Sequence, residues 1–222
     1  MTIRLAANYR AAVLREFAGH LGGRVLEIGA GVGQFTQLLR QQPGVSAVVA
    51  VEPEGGFCAE LARAWPAQLI VQGTSAAIRS ESHWDALVSI NVLEHIQADD
   101  DELRRYHRLL SASAGALCLF VPARRELYAP IDRDFGHYRR YTRGELRAKL
   151  RQAGFQVVAL HYFNLAGYFT WWLNFCLLRQ RRFVPMAVWL FDRVIFPPVN
   201  VVERRLRRPP LGQSLVAVGR AV

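Results

Sequence analysis

Val25-Leu26-Glu27-Ile28-Gly29-Ala30-Gly31-Val32-Gly33 is the stretch that decides the fold. An apolar run enters closely spaced glycines, and a helix is expected beyond them to about residue 41. Glycines allow a sharp turn and let a ligand approach the backbone without Cβ clashes. The helix start offers unpaired N–H groups to that ligand. A dinucleotide fingerprint spaces its glycines G-x-G-x-x-G. Here Gln34 holds the sixth position and the pattern is E-x-G-x-G-x-G. About twenty residues on, Glu52 ends the next apolar run, placed for a bidentate contact to ribose hydroxyls.

Working outward, apolar runs alternate with amphipathic stretches over the first two thirds. Strands are expected over 24–28, 47–51, 68–71, 84–90 and 117–121, with Pro122 ending the fifth. Helices are expected over 55–64 and 99–110. Asp99, Asp100, Asp101 and Glu102 stand where a helix N-terminus favours negative charge. Continuous apolar strands separated by helices predict a parallel sheet covered on both faces. Beyond Ala123 the pattern breaks, and 123–141, polar and aromatic, is expected to be a long functional loop. A helix over 142–153 opens on a Thr142 cap with Glu145 three residues later. Gly154 ends it, and strands follow over 155–161 and 215–219. The expected architecture is one α/β domain over 1–222. Its sheet is doubly wound, mostly parallel and seven-stranded, with a helical insertion before the last strand.

Composition narrows the class. The chain has 222 residues, half of them hydrophobic, so a real core is available and disorder is excluded. Lys and Arg number 28 against 18 Asp and Glu, for a net charge of +10, and only Lys149 among the bases is not arginine. Such a balance favours an anionic partner or reflects an arginine-rich genome. Cys58, Cys118 and Cys176 are scattered in apolar surroundings, fitting free thiols in a reducing compartment. No CxxC or Cys/His spacing points to zinc, and no metal ligand set is read. Residues 1–15 lack an apolar run, so no signal peptide is expected and the location expected is cytoplasmic.

The chain resembles the class I S-adenosylmethionine (SAM)-dependent methyltransferases. The glycine turn, Glu52 and Asn91-Val92-Leu93-Glu94-His95-Ile96 carry the resemblance. It continues through Asp132, Gly136-His137-Tyr138-Arg139-Arg140-Tyr141-Thr142 and Ala153-Gly154-Phe155. The last block is similar to the bacterial small-molecule branch, whose members act in glycan, lipid or secondary-metabolite pathways. The resemblance implies a Rossmann-like fold and an enzyme that takes a methyl group from SAM. Glu27, Gly29, Gly31 and Gly33 would line the methionine end, and Glu52 would hold the ribose. Ala30, Pro53, Gly73, Thr74 and Val92 complete the implied cofactor set, with Asn91 and Leu93 bordering the sulfonium. Gln72-Gly73-Thr74 replaces the acid that family members often present to the adenine, leaving that contact to backbone or hydroxyl.

Methyl transfer is an in-line displacement helped by alignment and exclusion of water, and a hydroxyl acceptor also loses a proton. Histidine suits that task near neutral pH. His137 is the first candidate base or substrate-orienting group, His95 the second, and Asp132 a possible orienter. His20, His83, His107 and His161 have packing or surface settings. Tyr138, Arg139, Arg140 and Tyr141 are candidate substrate contacts. The two arginines either grip a carboxylate or phosphate, or pair with Asp132, Asp134 or Glu145.

Residues 162–208 form a strongly apolar excursion with Trp171 and Trp172, bordered by Arg179, Arg181, Arg182, Arg204, Arg205, Arg207 and Arg208. Pro185, Pro197 and Pro198 interrupt it, and neither half spans a bilayer. A helical cap is expected, serving as a substrate lid, a dimer surface, a hairpin resting on a membrane, or an ordinary cover of the sheet. The expected acceptor is a small or lipid-linked molecule. Rival readings are an RNA methyltransferase, a nicotinamide oxidoreductase and a non-catalytic SAM-binding or membrane scaffold. The glycine spacing and the lack of a Tyr-x-x-x-Lys pair disfavour the oxidoreductase. No RNA-binding appendage is recognisable and no nucleic-acid partner is expected.

Overall fold

The computed structural model describes residues 5–66, 68–79, 82–206 and 209–222. Seven strands form one sheet: β1 (Gly23–Ile28), β2 (Val45–Glu52), β3 (Leu69–Gln72), β4 (Ala86–Ile90), β5 (Ala116–Pro122), β6 (Phe155–Phe163) and β7 (Ser214–Ala221). Their spatial order is β3-β2-β1-β4-β5-β7-β6, and β7 alone runs opposite to the other six. All seven residues of β5 are buried, as a strand covered on both faces requires.

Two apolar layers enclose the sheet. One gathers Leu26, Leu87, Leu117 and Leu119 under α4 (Asp99–Ser111) and α6 (Arg143–Gln152). The other gathers Val25, Val88, Cys118 and Phe120 under α1 (Ala7–Phe17) and α2 (Gln34–Arg40). Helix α3 (Gly55–Ala64) covers the β2–β3 edge. Helix α6 opens on the expected box, with Glu145 N–H donating to Thr142 Oγ1 and Thr142 N–H to Glu145.

Two differences from the sequence reading matter. Helix α1 occupies a stretch that carries no helix in the sequence reading. Asp192, 184 positions away, accepts from the backbone N–H of Asn8 and of Tyr9 at its start. The 123–141 loop is not unstructured: it contains α5 (Pro130–Asp134) and closes on itself through an Ala123–Tyr141 bridge. The cap comprises α7 (Leu165–Trp171), extended by a π-helical stretch over Trp172–Leu177, then α8 (Pro185–Leu190) and α9 (Phe196–Leu206), joined by a second over Phe191–Ile195. Pro185 opens α8, where a missing N–H does no harm. Residues 1–4, Arg207 and Arg208 fall outside the described residues.

The register Pro122↔Ser214↔Phe163 puts the cap beside the C-terminal end of β5. The glycine turn, Glu52 and Asn91 leave the sheet at the same edge, where α/β folds bind ligands.

Candidate active site

The cofactor side is built on β1 and β2. Gly29, Gly31 and Gly33 all have left-handed φ, at 73°, 55° and 81°. A Cβ on Gly29 would meet Val92 at 2.3 Å, and one on Gly33 the Trp65 ring at 2.5 Å, whereas at Gly31 it would enter open space. Glu52 accepts from Gly31 N–H at 2.8 Å and from Glu54 N–H at 3.0 Å. Each carboxylate oxygen keeps lone-pair capacity for another donor. Glu27 is buried behind the turn and accepts from the Thr36 hydroxyl at 2.5 Å. Burial, eased by Thr36 and aggravated by Glu52, pushes its carboxyl up to about 8. Gly73 N–H donates to Glu52 O, and Thr74 caps a short turn over Ser75–Ala77.

Opposite this turn, the segment after β4 meets the 123–141 loop. Asn91 takes a left-handed φ of 53°, a conformation that asparagine tolerates better than most residues. Tyr138 N–H donates to Glu94 O at 2.8 Å and pins the two segments together. His95 and His137 then pack edge to face, their rings 4.6 Å apart. His137 Nδ1 lies 2.9 Å from Asp132 Oδ1, so the Nδ1–H tautomer donates there and Nε2 faces Glu94 Oε1 at 4.0 Å.

Asp132 is fully buried and also binds Arg140 and Ala129 N–H. Burial opposes its ionisation, but the bonds from His137 and Arg140 outweigh it and hold the pKa below the usual range. Glu94 is fully buried as well, and neither of its carboxylate oxygens has a hydrogen-bond partner. Burial pushes it up to about 8. His95 is exposed at the rim, and its pKa is lowered by desolvation and by His137.

A family comparison matches residues 1–160 to the methyltransferase domain. The chain belongs to that methyltransferase family. No protein of curated function matches this methyltransferase. Among solved structures it is similar to an S-adenosylmethionine-dependent methyltransferase from Mesorhizobium loti, at 18% identity and a TM-score of 0.62, covering 96% of this chain and 98% of that one. It is similar to another from Clostridium acetobutylicum, at 9% identity and a TM-score of 0.59, covering 97% and 91%. A complex of DhpI with SAH aligns at 16% identity and a TM-score of 0.62, covering 98% and 86%. Family and fold make the chain a class I, SAM-dependent methyltransferase.

The methyltransferase's own residues fit SAM. A Cβ at Gly31 would meet only open space, Glu52 beside it keeps acceptor capacity for hydroxyls, and Glu27 is an acid that would face an ammonium held at the turn. Pro53 and Thr74 are exposed and Gly73 is half-buried at the β2–β3 end of the turn, while Val92 is half-buried against Gly29. Ala30 and Leu93 are buried and act through packing.

The substrate set needs correction. Arg140 is buried, paired with Asp132 and stacked 4.4 Å over Trp171, so it braces the site and is not available to grip an anion. Tyr141 is fully buried and its hydroxyl donates to Asp99. Arg139 pairs with Asp99 at 2.6 Å and donates to Gln97 O, a partner outside the expected three. Tyr138 is exposed and, with Arg125, Tyr128 and Arg139, lines a cleft of about 410 Å³. His83 pairs with Asp85, His161 with Glu16, and His107 packs edge to face on Phe155, the packing or surface settings expected of them.

Proposed function

We propose that this enzyme transfers a methyl group from SAM to a small or lipid-linked acceptor of the kind handled by the bacterial small-molecule branch. SAM is the cofactor, and Glu52 with Gly29, Gly31 and Gly33 forms its cradle. The observation that carries the acceptor reading is the meeting of this cradle with the His95–His137–Glu94 cluster at one sheet edge, beneath an apolar cap. The acceptor's nucleophile sits against His137 and His95, and Asp132 fixes the ring of His137. Transfer forms a bond from the methyl carbon to the acceptor and breaks the one to sulfur, and a hydroxyl acceptor gives up its proton at this cluster.

Support for a hydrophobic acceptor comes from the cap. Trp171 and Phe175 pack on Leu127 and Ile131 of the active-site loop, so cap and loop share one apolar cluster. Most of the large apolar side chains exposed among the described residues lie on the cap, Trp172, Leu177, Met186 and Trp189 among them. No described helix is long and apolar enough to cross a membrane. A cytoplasmic enzyme resting its cap on the membrane surface accounts for both facts. Incubation with SAM and fractionated metabolite, lipid and RNA extracts, with products identified by mass, tests the proposal. A methylated lipid or lipid-linked product is expected; exclusive methylation of RNA would overturn it.

A further inference from the structure

Glu94, His95 and His137 raise a question that methyl transfer alone does not answer. A fully buried carboxyl group with both oxygens unpartnered is a costly arrangement, because a buried polar group without a hydrogen-bond partner loses its hydration for nothing in return. The Glu94 carboxylate faces two imidazoles. One ligand atom from each of the three residues lies within 4.8 Å of the others. The ligands come from two segments about forty residues apart, so no local spacing in the sequence announces them.

We infer that Glu94, His95 and His137 bind a divalent transition-metal ion at the acceptor end of the active site. Two imidazoles and one carboxylate are the donor set that borderline ions such as zinc and cobalt accept. Three protein ligands leave coordination positions open, and exposed His95 gives an entry path. His137 is prepared for ligation. Its Nδ1–H donates to Asp132 at 2.9 Å, which leaves the Nε2 lone pair directed at Glu94. A carboxylate behind a histidine is the usual outer partner of a metal-bound imidazole. Ligand atoms around a tetrahedral zinc lie about 3.4 Å apart, given bonds near 2.1 Å. The 4.0 Å between His137 Nε2 and Glu94 Oε1 therefore closes by less than an ångström. A cation there meets the electrostatic demand of Glu94, and an acceptor hydroxyl on an open position becomes more acidic.

The inference rests on the methyltransferase reading for its role in transfer, but metal binding is measured without any acceptor. Metal-stripped protein is titrated with zinc by calorimetry and with cobalt by visible absorption, and SAM is titrated in parallel. One ion per chain is expected, with cobalt bands of a low-coordinate nitrogen–oxygen site. Glu94→Gln, which keeps the shape of the side chain, and His137→Gln are each expected to weaken zinc by at least tenfold while SAM still binds. Absence of stoichiometric binding, or binding unchanged in both variants, overturns the site. If SAM binds and metal does not, only the metal inference fails; if SAM itself does not bind, the methyltransferase reading fails instead. Circular dichroism of each variant shows whether it is folded, and His95→Ala at the exposed rim serves where a buried variant is not.

Discussion

Gly29, Gly31 and Gly33 share a left-handed φ but answer to different neighbours. At Gly29 and Gly33 a side chain collides with Val92 or Trp65, so alanine there combines backbone strain with overpacking. Each of those substitutions is expected to cost about 2–5 kcal/mol. Gly31→Ala carries only the backbone part, about 1–2 kcal/mol, because its Cβ enters open space. Its loss is expected in SAM affinity instead. Thermal melts and calorimetry on the three variants separate stability from binding.

Glu27 adds a pH dependence. Its carboxyl is raised to about 8, chiefly by burial. A raised acid lends stability that is complete below the ordinary carboxylate range and is lost as pH climbs through the folded value. The melting temperature of the free enzyme should therefore fall between about pH 5 and pH 8. Glu27→Gln should flatten that fall, and an unchanged slope would contradict the assignment. At this scale the glycine turn and the place of Glu52 were legible in the sequence, because glycines spaced so closely after an apolar run leave little but a sharp turn at the strand end. The isolation of Glu94 was not, since it arises only where two distant segments meet.

Among the elements, α1 shows what local patterning misses. Ala6 gives its N-terminus no side-chain cap, and the missing acceptor is Asp192 from the cap. Asp192→Ala leaves the Asn8 and Tyr9 N–H groups without acceptors and should cost about 1–3 kcal/mol. In a chain of this size that lowers Tm by about 2–4 °C per kcal/mol, readable in a melt. The 123–141 loop shows the converse. Its polar residues were legible as a cluster, but Arg140 and Tyr141 turn inward to Asp132 and Asp99. Sequence polarity does not report whether a charge is spent inside the fold. Strand positions were recovered to within a few residues, because continuous apolar runs between helices leave few alternatives.

At the scale of the whole molecule, the sheet's C-terminal edge gathers the cofactor cradle, the histidine cluster and the cap. The cap face carries exposed Trp172 and Trp189, with Arg179, Arg182, Arg204 and Arg205 exposed along it. Aromatics favour a bilayer interface, and each basic residue near an anionic surface adds about 1 kcal/mol. Flotation with anionic and neutral vesicles should show binding to the anionic ones that weakens with salt. Trp172→Ser with Trp189→Ser should reduce it. A soluble dimer with no flotation would reassign the face to a second copy of the chain.

The central claim is that the glycine turn and Glu52 hold SAM, and calorimetric titration of SAM into wild-type enzyme and Glu52→Ala tests it most directly. Losing the charge-assisted bonds of Glu52 is worth about 1.5–3 kcal/mol. One SAM per chain is expected for the wild type, with affinity at least tenfold weaker in the folded variant. Equal affinity in the two proteins, or no binding to the wild type, would contradict the account.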